Sequence, residues 1–165
     1  MPVKVTTQAR HKNKTELKGV VISLLQRVTG AKVTVDDAVS GEIGCGLLVF
    51  TAIQPDDDVT KVSRMAERVL TYRVFPDSED RMNHSLLDKN LALLIVPQFT
   101  LAADTAKGTR ASFAKAAPPK QGIELFEQFV LKCRQSATQV ETGVFGASMQ
   151  VSLVNDGPVT FWLEV

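Results

Sequence analysis

Two hydroxyls, Thr100 and Thr160, each follow a break in an apolar, β-rich run, and those breaks are where this chain has residues free for chemistry. The first break is Pro97-Gln98-Phe99-Thr100-Leu101. The second is Asn155-Asp156-Gly157-Pro158-Val159-Thr160. Proline cannot donate to a sheet ladder and is kept out of strand centres. A Gly-Pro bond can also be held cis for only about 0.5–1 kcal/mol. On these residues alone two readings stay open: ordinary β-turns with strand threonines, or backbone shaped to meet a ligand.

Other chemistries are poorly supplied. A Ser-His-Asp or Cys-His arrangement needs a histidine placed by a folded element. His11 falls in a polar leader and His84 in the turn-rich stretch Arg81-Met82-Asn83-His84-Ser85. Cys45 and Cys133 lack a CxxC spacing and sit among apolar neighbours, so both are expected reduced and buried. A zinc site wants about four clustered ligands, and two Cys with two His fall short, so no metal or cofactor is expected. No phosphate-cradling glycine motif opens a helix; Gly41-Glu42-Ile43-Gly44-Cys45-Gly46 precedes a strand and is a turn candidate. Asp56-Asp57-Asp58 stands directly before the apolar helical stripe Val59, Val62, Met65, Ala66, Val69, Leu70, which favours helix capping over metal binding. By elimination, chemistry here rests on hydroxyls, main-chain N–H and C=O groups, and the substrate itself.

These residues need elements to hold them. With 165 residues, 44% apolar and 22% charged, the chain fits one domain with its own core. No apolar run reaches the roughly 18 residues that span a bilayer, and no signal-peptide core is present, so a cytoplasmic protein with no membrane partner is expected. Residues 1–18 are basic and aperiodic and are expected to form a flexible extension; residues 19–165 form the domain. Basic residues also cluster at Lys107, Arg110, Lys115 and Lys120, a weak pointer to a polyanion. Val20–Val28 and Ala31–Val35 alternate as strands paired across Thr29-Gly30. Gly46–Ile53 and Leu91–Val96 are buried strands, and Tyr72–Phe75 and Met149–Val154 are further strands. A second helix is expected over Ile123–Gln135, with Ile123, Phe126, Phe129, Val130 and Cys133 on its apolar face. The fold class is α/β: a mainly antiparallel, barrel-like β core with two packed helices in a single domain.

The same residues resemble a known family. Gln26-Arg27-Val28, Gly41-Glu42-Ile43-Gly44, Arg73-Val74-Phe75, Gln98-Phe99-Thr100-Leu101, Ala103-Asp104-Thr105, Ser112-Phe113, Thr142-Gly143, Phe145-Gly146-Ala147 and Met149–Thr160 are similar, in order over residues 20–165, to D-aminoacyl-tRNA deacylase. The resemblance implies a homodimer with active sites at the subunit interface. Its substrate is D-aminoacyl-tRNA or glycine mischarged on tRNA, and the ester is hydrolysed. It implies that Gly157-Pro158 is a cis peptide reaching into the other subunit's pocket, its carbonyls receiving the α-amino group. An L side chain would then be driven into that backbone. Main-chain N–H groups at Phe99 and Thr100 would face the oxyanion, with Thr100 positioning and the terminal ribose 2′-hydroxyl assisting the water. Phe99 and Met149 would line the terminal adenosine pocket, with Gln98 and Arg27 close by. Pro97, Ala111, Val144 and Ser148 depart from the family's usual residues. The alternative is a dimeric nucleic-acid-binding module without catalysis.

Overall fold

The computed structural model describes residues 20–165; the basic extension expected over 1–18 lies outside the described residues. In chain order the elements are β1 (Ile22–Val35), β2 (Ala38–Ile43), β3 (Gly46–Ala52), α1 (Val59–Thr71), β4 (Phe75–Pro76) and β5 (Met82–His84). There follow α2 (Leu86–Lys89), β6 (Ala92–Pro97), a 3-10 turn (Phe99–Ala102), α3 (Pro119–Arg134), β7 (Val140–Thr142) and β8 (Gln150–Glu164).

β1 pairs antiparallel with β3 along its first half, with β2 along its second half and with β8 along most of its length. The hairpin turn expected at Thr29-Gly30 is not there, because β1 runs straight through it. The chain turns instead at Asp36-Asp37, whose φ values of 48° and 64° are both positive. That is the backbone a tight two-residue hairpin requires, and short Asp side chains tolerate it. Gly30 marks a slip in register against β8. Tyr72 ends α1 rather than starting a strand, and only Phe75–Pro76 of that stretch is extended into a ladder.

From β3 onward the sheet is parallel: β3 pairs with β6 and β6 with β7. Each of those links contains a long helix, α1 or α3, as a crossover between parallel strands demands. The result is a mixed sheet, nearly closed into a barrel, with two main helices packed on it. β2 closes it by lying against β7. Gly41 permits this, since a Cβ there would stand 2.9 Å from the Thr142 carbonyl oxygen. Gly46 is tighter still: its Cβ would fall 1.9 Å from the Ala92 oxygen across the β3–β6 ladder.

Period-two alternation sorts the strands between two cores. Leu47, Val49, Leu93 and Ile95 face the helices, where they meet Val62, Met65, Val69, Phe126 and Phe129. Leu48, Leu94 and Val96 face the barrel interior with Val28, Ala31 and Val33. Asp58 caps α1 as the acid trio implied, its carboxylate accepting the Lys61 N–H at 2.8 Å. Asp57 is buried, accepts the Gln54 N–H at 2.7 Å and has its pKa raised by that burial. Helix α3 starts earlier than expected, at Pro119, because a proline loses nothing at the first helical position. Its buried face takes Leu125 in place of Ile123, which is exposed.

Candidate functional site

The first break in the apolar pattern is a strand ending in a 3-10 turn. β6 stops at Pro97, and the Gln98 N–H continues the ladder by donating to the Thr51 carbonyl at 2.8 Å. The turn Phe99–Ala102 then closes with Leu101 N–H to Gln98 O and Ala103 N–H to Thr100 O. Among the described residues neither the Phe99 nor the Thr100 N–H meets an acceptor, as first-turn amides have none inside the turn. The Gln98 side-chain amide donates to the Thr100 hydroxyl, which leaves that hydroxyl's own proton available. Thr51 sits behind the turn with its hydroxyl bonded to Ser23 at 3.0 Å, both side chains buried. The Phe99 ring is 53% exposed and meets Phe113 edge-on, ring centroids 5.2 Å apart.

Met149 joins this turn. Its sulfur accepts the Val144 N–H at 3.3 Å. A Cβ on Gly143 would lie 2.8 Å from that sulfur and 3.4 Å from the Pro97 ring, so Pro97, Gly143 and Met149 share one small space. Phe145 anchors the segment by packing on Phe126 and over Gly122 of α3. No ionisable side chain belongs to this group. Cys133 is fully buried, which pushes its thiol up to about 12, so it offers no thiolate. Cys45, expected buried, is exposed in the β2–β3 turn, a position that the apolar residues around it in sequence do not betray.

The second break is an excursion of β8. Thr160 stands opposite Gln26 and Asn155 opposite Val28, so the four residues 156–159 face Arg27 alone. The surplus is pushed out of the sheet, and Asp156, Gly157 and Pro158 are exposed. The Gly157-Pro158 bond is cis. Gly157 has a φ of 155°, and a Cβ there would meet the Val159 nitrogen at 2.5 Å. Asn155 closes the neck: its amide donates to the Val159 carbonyl (2.9 Å) and the Arg27 carbonyl (3.0 Å), and its oxygen accepts the Val159 N–H (3.1 Å). The Arg27 guanidinium braces the base, reaching the Asp156 carbonyl at 3.0 Å, its carboxylate at 3.2 Å and the Val74 carbonyl at 2.6 Å.

Within one chain, then, the residues fall into two groups. Gln98, Phe99, Thr100 and Met149 come together. Arg27, Gly157 and Pro158 form the other group, so Arg27 is beside the excursion and not beside Phe99. Register measures the gap. Pro97 is level with Thr51 on β3 and hence Ser23 on β1, whereas the excursion is level with Arg27. Four residues along a strand is about 13 Å, and the three strand steps from β8 to β6 add about 14 Å across the sheet. Asn155, Gly143 and Phe113 fall within the motifs that carry the family resemblance, but the sequence alone assigns none of them a role of its own. Asn155 and Gly143 act through loop closure and close approach, which leave no compositional mark.

Comparison with known proteins agrees with the fold. Residues 24–164 match the family model for D-Tyr-tRNA(Tyr) deacylase. The chain is 54% identical over 145 residues, 88% of its length and all of the relative's, to a D-aminoacyl-tRNA deacylase of Klebsiella pneumoniae (strain 342). It is equally similar, over the same shares, to one of Escherichia coli O1:K1 / APEC. Among solved structures it is similar to a c-Myc DNA Unwinding Element Binding Protein, with a TM-score of 0.83 and 35% identity, covering 87% of this chain and 98% of that one. A structure described as a probable eukaryotic D-amino acid tRNA deacylase shares the fold at a TM-score of 0.80 and 18% identity, covering 88% of this chain and all of that one.

The neck of the excursion generates a direct test. Asn155→Ala removes three hydrogen bonds at a partly buried position and lowers the unfolding free energy by about 1–3 kcal/mol. Amide exchange at Val159 accelerates more than at Leu163 on the same strand. Equal acceleration at both sites would mean that the carboxamide is not what closes the loop.

Proposed function

The chain belongs to the D-Tyr-tRNA(Tyr) deacylase family, and we propose that its two residue groups form one site only where two copies meet. Its activity is that of a D-aminoacyl-tRNA deacylase, a hydrolase that cleaves the ester joining a D-amino acid to tRNA. The observation that carries the two-copy reading is the register. One amino acid cannot touch both the Phe99–Thr100 turn and the Gly157-Pro158 excursion of the same chain. Two further features support a second copy. Among the described residues β8 is bonded along one edge only, to β1, and an open edge of 15 residues invites pairing. Val154 (62% exposed) and Trp162 (48% exposed) flank the excursion on the same strand.

In this arrangement the excursion's main-chain carbonyls receive the substrate's α-amino group, while the turn of the other copy faces the ester carbonyl. With both groups held, chirality decides where the side chain points. A D side chain leaves the pocket, an L side chain collides with the Gly157-Pro158 backbone, and glycine has nothing to exclude. Water attacks the ester carbon, the N–H groups of Phe99 and Thr100 stabilise the developing oxyanion, and the C–O bond to the ribose breaks. The water's proton ends on the departing ribose oxygen. One such N–H donor is worth about 3–4 kcal/mol. None of the turn residues Gln98–Ala102 is ionisable, and Asp104 just beyond them is engaged by Ala106 and Lys115, which suits assistance to the water by the adjacent ribose 2′-hydroxyl. Thr100, held by Gln98, positions the substrate. Phe99 and Met149 line the terminal adenosine pocket, and no metal or cofactor takes part.

A second reading, a dimer that binds nucleic acid without turnover, draws on the similarity to the DNA unwinding element binding protein. Assay with D-tyrosyl-tRNA and L-tyrosyl-tRNA separates the two. The expected result is hydrolysis of the D-ester faster by on the order of a hundredfold or more. Tight binding of both with no turnover would establish the second reading instead.

Thr100→Ala is expected to lower kcat/KM by about tenfold or less, the loss of one hydrogen bond. A fall to the uncatalysed rate would make Thr100 the nucleophile. Subunit mixing tests the two-copy site. Gly143→Leu, which fills the space at Met149, and Gly157→Val, which strains the excursion, should each be inactive alone. Mixed after partial unfolding and refolding, they should recover about a quarter of wild-type activity, the share of sites with two intact halves. No recovery would place both halves in one chain.

A further inference from the structure

The segment between the 3-10 turn and α3 carries features that the ester chemistry leaves unused. It leaves the turn at Ala103, doubles back, and closes on itself where Asp104 and Ser112 exchange main-chain hydrogen bonds of 2.8 and 3.0 Å. The Asp104 carboxylate accepts the Ala106 N–H at 3.0 Å and pairs with Lys115 at 3.1 Å. These partners hold its pKa below the usual carboxylate range, the Ala106 N–H contributing most. The loop is therefore built and not slack. Its far end is anchored where the Ala117 N–H donates to the Ile53 carbonyl at 2.9 Å.

Two things stand out on this frame. At the tip, Lys107 and Arg110 flank Gly108, whose φ of 69° turns the chain outward with no atom within 4 Å of a Cβ placed there. Neither cation makes an ion pair or hydrogen bond with the described residues. At the base, Phe113 is 46% exposed and abuts Phe99, itself 53% exposed, at an interplanar angle of 64°. A lone exposed ring is ordinary. Two adjoining half-exposed rings and, on the same loop, two cations unpaired among the described residues are the combination with which proteins hold single-stranded nucleic acid: stacking faces for bases and positive charge for the backbone. The angle between the rings adds geometry. Bases stacked on each would be turned away from one another, which suits an unpaired strand and not a helix.

We infer that Phe113, with Lys107 and Arg110, is a docking surface for the single-stranded acceptor end of tRNA, the ring stacking the nucleotide upstream of the terminal adenosine and the cations meeting its phosphates. The inference rests on the proposed placement of the terminal adenosine beside Phe99. It assigns a function to residues outside the reacting centre and locates affinity for the polynucleotide apart from recognition of the amino acid.

The test compares two esters, D-tyrosyl-tRNA and the D-tyrosyl ester of adenosine, which lacks everything upstream. Phe113→Ala should lower the ratio of kcat/KM for the tRNA to that for the adenosine ester by about tenfold, what one stacked base provides. Phe113→Trp should hold or raise it. Replacing both Lys107 and Arg110 by Ala should flatten the slope of log kcat/KM for the tRNA against log salt by a little over one, since each single-strand phosphate that a cation neutralises adds about 0.7 to that slope. An unchanged ratio overturns the inference, whether both esters slow together, because Phe113 merely props Phe99, or neither slows. If the wild-type protein cleaves neither ester, the deacylase reading fails. The surface is then judged by fluorescence titration with a short RNA ending in CCA: about tenfold weaker binding by Phe113→Ala sustains it, and equal binding overturns it.

Discussion

The arrangement depends on one mismatch: four residues of β8 opposite a single residue of β1. A sheet cannot absorb three extra residues in place, so they leave it, and what leaves is the Gly157-Pro158 step. Everything around the mismatch stabilises it as a shaped object. Asn155 replaces the missing ladder bonds with bonds to Val159 and Arg27, and Arg27 fills the gap with its guanidinium. The odd surplus also explains how β8 changes sides. Val151 and Leu153 face the barrel interior before the excursion, and Phe161 and Leu163 face the helices after it. A single irregularity therefore serves both the packing of the strand and the display of its backbone.

The parts of this fold legible in the sequence were those written in period and punctuation. The α1 stripe after Asp58 and the apolar run ending at Pro97 became elements near their expected limits, and the alternation from Met149 became a strand that does not stop at Val154 but runs on through the excursion to Glu164. What was not legible depends on partners far along the chain. Nothing local in Val20–Val35 says that one strand serves three neighbours, and Thr29-Gly30 looks more like a turn than Asp36-Asp37 does. Parallel pairing of β3 with β6 follows from the crossover between them, which appears only once α1 is recognised as a connection and not merely as a helix. At the site, the two interruptions were visible as sequence oddities. Their separation within the chain was not, since distance follows from register.

A site assembled from main chain has a different vulnerability from one assembled from side chains. In the proposed site the Phe99 and Thr100 amides and the Gly157-Pro158 carbonyls belong to positions, and positions are held by the residues behind them: Thr51 under Gln98, Gly143 and Met149 beside Pro97, Asn155 at the neck. Losing a reactive side chain stops chemistry at one stroke. In the proposed site the sensitive residues are supports, and damage to them would degrade geometry and stability together. Buried Ser23 and Thr51 fit that logic, a hydroxyl pair satisfied within the sheet directly behind the turn.

Pro97 shows how such a design can use shape in place of a polar side chain. Its side chain carries no hydroxyl, so the position contributes shape only. A proline in mid-strand would cost a ladder bond, but Pro97 is the last residue of β6, and the next N–H, that of Gln98, makes the bond to Thr51. The ring also packs against the space shared with Gly143 and Met149. Pro97 thus supplies shape at the floor of the turn, where among the described residues the amides of Phe99 and Thr100 meet no acceptor. In the proposed site an apolar ring is admissible at this position because the oxyanion donors assigned there are main-chain amides.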